Sequence, residues 1–453
     1  MILARSLSKA DFGLVSIFAM TITLLELTSR MSLGSQIVQS PNGNREDFQK
    51  TTHAILALAG FTSAILVIAS AIPLSVAFGV PSASWAFALL SAVPFLKGFQ
   101  HLDNYRQHRT FNFKPGVLSE LIPQIIVTLA AWPLVHWLQD YRSILCIVIT
   151  KAGLTVLLTH KFAKRNYRWS LKREFVGTIL RFSWPLLLNG LLLFLSQQAD
   201  QFLIGTFLSL EAAAVYAAAF SFAALPYFLL APIQSNLFLP VLSNCQDDLK
   251  AFNEGYRNCL ETSALVAIFA VSPIVSLGEY IVTFFYGLKY QNTGEIVAML
   301  GCACAFRCFR IAPAIASISK ADTINQLLSN LVRCLSIPIL LVTVSFTNNL
   351  TVIAACSLAA EIAATIYSII RLKKRYNIAF RYSIKPLTIL LTGLGLSTFS
   401  STLENFSLGA SITTTFLILI IEVALARALF PEAFLIIKTI IYNKANLTRT
   451  ISK

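Results

Sequence analysis

The chain has 453 residues, of which 56% are hydrophobic and 13% are charged, and its mean hydropathy is +0.69. Soluble domains carry about a quarter charged residues, so this composition indicates a protein of the lipid bilayer and argues against a soluble domain. The formal net charge of +15 does not indicate nucleic-acid binding, because the cations lie between apolar runs rather than on a solvated basic surface.

Apolar segments follow one another along the whole chain, each long enough to cross about 30 Å of hydrocarbon as a helix. The sequence therefore predicts an all-α integral membrane protein without an extramembrane domain. The thirteen predicted segments are 12–38, 51–79, 82–100, 117–138, 143–160, 177–205, 211–239, 258–286, 291–317, 326–346, 350–370, 385–402 and 408–430.

The positive charges of the connecting loops predict the orientation of the chain. The odd-numbered loops and the C-terminal tail carry 24 lysines and arginines, whereas the even-numbered loops carry only Arg142 and Lys289. Because cytoplasmic loops are enriched in these residues, we expect the odd-numbered loops and the C-terminus in the cytoplasm. Residues 1–11 then lie on the outer face, as though one helix were missing before them.

A weak internal repeat supports the missing helix. A shift of 201 residues places Leu7 on Leu208, Ser8 on Ser209 and Asp47 on Asp248, although chance similarity between apolar helices remains the alternative. The pattern predicts a parallel repeat of two six-helix lobes with two extra C-terminal helices, fourteen helices in all. The predicted domains are an N-terminal lobe at 1–170 without its first helix, a C-terminal lobe at 171–375, and two extra helices with a basic tail at 376–453.

Several loose motifs, in order along nearly the whole chain, resemble one known family. Residues 3–14 (LARSLSKADFGL) resemble the opening of the Wzx-type polysaccharide flippases, which belong to the superfamily that includes MATE exporters and lipid II flippases. The further matches are Asp200 with Ile204, Gly205 and Tyr216, residues 239–243 (LPVLS), residues 285–290 (FYGLKY), and Arg109, Phe111 and Phe113 followed by Glu120. The chain departs from the family in its absent first helix and in Ala213 and Ala214, where a glycine is usual.

The resemblance implies a MATE-like pair of six-helix lobes around a central cavity that opens alternately to the two sides of the membrane. It implies a substrate such as an undecaprenyl-diphosphate-linked oligosaccharide or a similar glycolipid. It also implies a multi-pass protein of the bacterial inner membrane, with membrane lipids and possible polysaccharide polymerase and glycosyltransferase partners.

Ionisable residues inside predicted spans are candidate site residues, because a charge at the centre of a membrane helix costs about 2.5–3.5 kcal/mol. Cations in the cytoplasmic half of a span could hold a diphosphate, arginine in a bidentate manner. The predicted substrate-binding residues are Arg30, Arg307, Arg310, Arg181, Lys97, Asn189 and Gln197.

Other readings of these residues remain open. Lys97, Arg181 and Arg333 could instead reach the headgroups of the inner leaflet, whereas Arg307 and Arg310, one turn apart, share a helix face nearer the middle of the membrane. Pro313 and Pro338 are among several prolines that could bend spans.

Two acidic residues are the predicted ion-coupling sites, Glu26 and Asp200. Glu26 could exchange a proton or merely pair with Arg30 four residues later, and Asp200 could serve helix packing. Lys151 and Glu361 lie at similar depth, but in the family order they belong to different lobes and are not expected to pair.

The leading functional hypothesis is a glycolipid flippase for surface polysaccharide biosynthesis. A MATE-like cation or drug antiporter, a lipid II flippase and a non-transporting scaffold are the alternatives. No nucleophile and base, phosphate-binding loop or cofactor motif is recognisable, so enzyme activity is not expected. Cys302, Cys304 and Cys308 have no histidine beside them and are interpreted as buried thiols rather than metal ligands.

Overall fold

The structure is a computed structural model, and almost all of its secondary structure is helical. It describes residue 5, residues 7–30, 33–110 and 112–320, residue 322, and residues 324–402 and 408–430, with the backbone alone at 25–30, 35, 39, 182, 185, 186 and 189. The chain divides into two compact units, Met1–Ala214 and Val215–Lys453. The domain boundaries at 170/171 and 375/376 stay a prediction.

Unit 1 is a helical bundle in which α3 packs on α4 and α5, α7 on α8, and α9 on α1. Its helices are α1 (Lys9–Arg30), α2 (Leu33–Gln39), α3 (Glu46–Ala77), α4 (Ser84–Leu89), α5 (Ala92–Gly98), α6 (Asp103–His108), α7 (Lys114–Leu138), α8 (Arg142–Lys161) and α9 (Arg173–Phe207). In its core Phe18 and Phe87 meet edge to face, with ring centroids 4.9 Å apart. Two glycines allow α3 and α5 to approach closely, since a Cβ atom added to Gly60 would lie 2.7 Å from the Cα of Gly98.

Unit 2 is built around α12, which packs on α11, α14, α19 and α20. Helix α10 (Leu210–Ala223) leads into this unit. The helices that follow are α11 (Leu225–Asn244), α12 (Leu249–Ser276), α13 (Gly278–Tyr286), α14 (Gly294–Phe309), α15 (Ile311–Ser319), α16 (Ile324–Cys334), α17 (Ser336–Phe346), α18 (Leu350–Tyr376), α19 (Arg381–Thr402) and α20 (Leu408–Leu429). The fully buried Phe252, Tyr256 and Leu260 of α12 lie in the largest apolar core of the unit.

Proline explains several helix breaks. Pro94, Pro226, Pro313 and Pro338 each stand at the second or third position of a helix that begins directly after a break. A proline is tolerated in the first turn because the backbone N–H groups there have no partner within the helix, but it leaves a carbonyl of the preceding segment unpaired. Other prolines, such as Pro123 and Pro232, lie inside helices that continue. The segments 291–317 and 326–346, predicted as single spans, are therefore each two consecutive helices.

Nine helical stretches of the described residues are long and apolar enough to cross a membrane. They coincide with nine of the predicted segments, and the remaining four, at 12–38, 82–100, 177–205 and 385–402, are helical as well. Helix α12 begins nine residues before the predicted 258, because Asp248 accepts hydrogen bonds from the backbone N–H groups of Lys250 and Ala251 and caps the helix there. The predicted all-α membrane fold is confirmed, and the exact number of spans stays a prediction.

Candidate functional site

A buried ionic cluster in unit 2 joins one carboxylate to three arginines. The Oε1 atom of Glu361 lies 2.6 Å from Nε of Arg307 and 2.9 Å from Nε of Arg333, and its Oε2 atom lies 3.2 Å from a terminal nitrogen of Arg310. Glu361 is fully buried, and the exposed fractions of the three arginine side chains are 7% for Arg307, 6% for Arg333 and 11% for Arg310. Here, the arginine cluster denotes these four residues.

Three helices position the arginine cluster. Arg307 lies in the last turn of α14, Arg310 at the break before α15, and Arg333 at the end of α16. Glu361 lies eleven residues after the start of α18, which is about 16 Å along a helix about 40 Å long. Since α18 packs on both α14 and α16, one carboxylate reaches cations from two neighbouring helix pairs.

The surroundings of the cluster satisfy only part of its polar groups. Arg310 donates to Oγ of Ser329 and to Oδ1 of Asn330, both at 3.1 Å, and the Arg307 guanidinium lies 5.3 Å from the ring centroid of Tyr227. Nε of Arg310 and Nδ2 of Asn330 are buried without a hydrogen-bond partner in the described part of the chain. The arrangement is suited to an additional acceptor, because an unpaired buried donor costs about 1–3 kcal/mol.

The charges of the arginine cluster do not balance, because three guanidinium groups face one carboxylate. Arginine remains protonated even when buried. The cluster therefore holds an excess of positive charge at a depth where uncompensated charge is expensive. Chemically, it can stabilise a group with two or more negative charges, and a diphosphate satisfies this condition.

The structure places the other predicted site residues in unit 1, on α1, α5 and α9. Lys97 is 7% exposed in α5 and Asp200 is 8% exposed in α9, whereas Gln197 is half-buried and Arg181 is exposed. The side chains of Glu26, Arg30 and Asn189 lie outside the described residues. Arg307 and Arg310 are the predicted residues that the described structure brings to a shared partner.

The sequence did not identify two members of the arginine cluster as site residues. Arg333 was left open as a headgroup contact, but the structure buries it against Glu361. Glu361 was not expected to pair with Lys151; Lys151 is half-buried on α8, and Glu361 binds the three arginines instead. The sequence feature that could have predicted this cluster is the similar depth of one acid and several arginines in three consecutive segments, 291–317, 326–346 and 350–370.

A second polar cluster in unit 1 surrounds the fully buried Asp103. Its carboxylate accepts hydrogen bonds from Nε of Arg106 at 2.6 Å, from the backbone N–H of Lys164 at 2.8 Å, and from the side-chain amides of Gln49 and Gln107, both at 3.3 Å. Burial acts to raise the pKa of Asp103, but the hydrogen bonds from Arg106 and Lys164 outweigh it and lower the pKa to about 2. Asp103 thereby joins α3, α6 and the segment that follows α8.

Three histidines pack beside Asp103. The ring centroid of His101 lies 4.8 Å from that of His53 and 5.2 Å from that of His160. Nδ1 of His101 accepts from the backbone N–H of Asp103 at 3.1 Å, so its Nε2 carries the proton donated to the carbonyl of Arg165 at 2.9 Å. Burial lowers the pKa of His101, and His160 lowers it further. No group of histidine, cysteine or carboxylate residues in the described ranges is arranged to hold a metal ion.

Apolar helices in two units, with a cationic cluster buried in one of them, define a multi-pass α-helical membrane protein. Residues 2–295 match the model of the family described as "Polysaccharide biosynthesis protein". This match covers more than half of the chain, and the chain belongs to that family.

One curated relative and two solved structures are similar to the chain. The succinoglycan biosynthesis transport protein ExoT of Rhizobium meliloti (strain 1021) is 23% identical over 308 residues, which are 66% of this chain and 60% of the relative. The chain thus matches less than two thirds of that relative's length. The lipid II flippase MurJ in an inward closed conformation superimposes with a TM-score of 0.71 at 16% identity, covering 94% of this chain and 95% of MurJ. An inward-facing multidrug resistance MATE transporter gives a TM-score of 0.67 at 13% identity, covering 84% and 96%.

These findings confirm two predictions. The chain belongs to a family of polysaccharide biosynthesis proteins, in agreement with the family that its motifs resemble, and it has the MATE-like helical fold. At these identities the solved structures establish the fold alone.

Proposed function

We propose that the chain moves a lipid-linked oligosaccharide, with an undecaprenyl-diphosphate or similar anionic carrier, across the bacterial inner membrane for surface polysaccharide biosynthesis. The observation that carries the proposal is the arginine cluster, in which three buried guanidinium groups face a single carboxylate. Family membership supplies the class of cargo. The chemistry of the cluster supplies the reason why that cargo is held through its phosphates.

Arg310 is the first contact in this proposal. It is the least buried arginine of the cluster, and its Nε donor has no hydrogen-bond partner in the described residues. An arriving diphosphate would accept from Arg310 and Arg307 and offset the excess positive charge, since arginine binds phosphate oxygens in a bidentate manner. When the diphosphate leaves, Glu361 again binds all three arginines and keeps them ordered. This cycle needs no covalent chemistry, and the chain acts as a transporter rather than an enzyme.

The orientation and the partners belong to the same proposal. With the C-terminus and the basic loops in the cytoplasm, glycosyltransferases would deliver the lipid-linked sugar at the inner leaflet and a polymerase would receive it outside. Lys97, Arg181, Gln197 and the undescribed side chains of Arg30 and Asn189 remain candidate contacts for the sugar and phosphate.

Ion coupling through Glu26 and Asp200 also remains a proposal. Asp200 is buried in α9, a position that suits either a helix-packing acceptor or a cation site.

A reconstituted flipping assay tests the function. The full-length protein is placed in vesicles that contain a fluorescent undecaprenyl-diphosphate oligosaccharide, and a membrane-impermeant reductant then bleaches the label in the outer leaflet. We expect the wild type to make nearly the whole pool accessible, and Arg310→Gln to slow this at least about tenfold through loss of a charged hydrogen bond. Arg375→Gln is the matched control, because Arg375 is 52% exposed and pairs with Asp322 away from the arginine cluster.

Parallel vesicles distinguish the alternatives. Faster movement of labelled lipid II than of the oligosaccharide would identify a lipid II flippase, and uptake of a cationic dye without lipid movement would identify a drug antiporter. Equal rates for the wild type, Arg310→Gln and protein-free vesicles would refute the proposal.

A further inference from the structure

A basic pocket lies at one end of unit 2, on helices that do not contribute to the arginine cluster. Its cavity has a volume of about 420 Å³, which is within the range of small-molecule sites. It is lined by Arg257 and Glu261 of α12, by Arg381, Tyr382 and Lys385 of α19, and by Leu429 at the end of α20.

The lining of the basic pocket is cationic, with three basic side chains and one acid. Nε of Arg257 lies 3.7 Å from the carboxylate of Glu261. Arg381 and Lys385 are exposed, and no ion pair involves either of them within the ranges that the structure describes. Both belong to the first turns of α19, a helix of 22 residues, whose N-terminal end adds a positive dipole potential. The charge of the lining therefore favours an anion over a cation.

Apolar surface adjoins these charges. Leu429 at the rim is 45% exposed, and Ile384 and Leu391 along α19 are 48% and 55% exposed. Helices α12 and α20 are both apolar enough to span a membrane, and the pocket lies at the end of α20 and the start of α19. A soluble anion would use only the charges, whereas an amphiphile would use the charges and the apolar face together.

We propose that the basic pocket binds the phosphate headgroup of an anionic membrane phospholipid, with its acyl chains against the exposed apolar face of α19 and α20. Basic pockets at the interfacial ends of membrane helices bind lipid phosphates by this combination of charge and apolar contact. This lipid is distinct from the transported cargo, because the arginine cluster is built from α14, α16 and α18. The inference does not depend on which substrate the protein moves.

Native mass spectrometry of the delipidated full-length protein tests the pocket. The probe is phosphatidylglycerol, compared with phosphatidylcholine of the same acyl chains and with soluble glycerol phosphate. We expect binding of phosphatidylglycerol to weaken about tenfold to thirtyfold in Arg381→Gln/Lys385→Gln, since each interfacial cation contributes to anionic lipid binding. Lys373→Gln/Lys374→Gln is the matched control: it removes two exposed cations near the end of α18, outside the pocket.

Each outcome decides the proposal. Selective weakening in the pocket variant, with the control unchanged and phosphatidylcholine bound poorly, supports it. Equal weakening in both variants shows a diffuse surface charge effect and overturns it. Full competition by glycerol phosphate at equal concentration assigns the pocket to a free anion and overturns the lipid assignment. Because the substituted side chains are exposed, both variants should have the melting temperature of the wild type. Flipping by the wild type is measured in a separate assay, so that a failure of the proposed function is distinguished from a failure of the lipid site.

Discussion

Removal of the carboxylate from the arginine cluster tests most directly whether the cluster holds an excess of charge. Glu361→Gln keeps the shape of the side chain but removes the carboxylate that pairs with all three guanidinium groups. Breaking a buried ion pair by removal of one partner costs about 3–5 kcal/mol. For a unit of this size, that loss corresponds to a fall in melting temperature of roughly 6–20 °C.

Buried cysteines provide the assay for Glu361→Gln. Cys302, Cys304 and Cys308 lie buried on α14, the helix that carries Arg307, so a thiol-reactive fluorogenic dye reports the opening of this helix during heating. Glu254→Gln, at an exposed position of α12, is the matched control and should melt with the wild type.

A second substitution separates charge from shape. Arg333→Met added to Glu361→Gln should recover part of the lost stability, because it lowers the uncompensated charge. If Glu361→Gln melts at the wild-type temperature, or if the double variant is less stable than the single one, the arginines are not held by this carboxylate and the charge argument fails.

The remaining predictions concern unit 1 and the pH dependence of its stability. Asp103→Asn should lower the free energy of unfolding by about 2–3 kcal/mol through its lost charged hydrogen bonds, and Arg142→Gln, at an exposed helix start, should not. The contribution of Asp103 to the free energy of unfolding is full above its ordinary pKa of 3.8 and is lost as the pH falls towards about 2. A melting temperature that does not change with pH across that interval would contradict this prediction. Burial lowers the pKa of His101, and the buried His53 beside it is desolvated as well, so the unfolded chain binds protons first and the melting temperature should fall from pH 7 to pH 5.5. His101→Gln should reduce that slope, and an unchanged slope would refute the contribution of His101. Gly60→Ala should destabilise by about 1–3 kcal/mol because its Cβ meets Gly98, whereas Gly153→Ala, with open space around it, should not, and equal melting of the two would refute the close helix contact.

The fold was predictable because its signals are local. A helix that crosses a bilayer must be apolar over its own length, and each predicted segment accordingly lies on a helix or on two consecutive helices. The break at Arg310 was harder to predict, since the apolar pattern continues through it and Pro313 is the only local sign.

The site was predictable only in part, because its partners are distant in sequence. The spacing of Arg307 and Arg310 placed them on one helix face, and both bind Glu361 in the structure. That carboxylate lies 54 and 51 residues away from them, and a single sequence does not encode such a pairing locally. Asp103 was missed for the same reason, since its strongest loop contact, the backbone N–H of Lys164, lies 61 residues further on.

Specific contacts hold the segment between α8 and α9 in place. Besides the bond from Lys164 to Asp103, the backbone N–H of Lys172 donates to the Thr51 hydroxyl at 3.4 Å, and its ammonium lies 2.5 Å from the Asp47 carboxylate. The segment is therefore held to α6 near its first end and to the first turns of α3 at its second end. The start of α9 is thus tied to the first turns of α3, and lengthening this segment by a few flexible residues would loosen that tie without altering either helix.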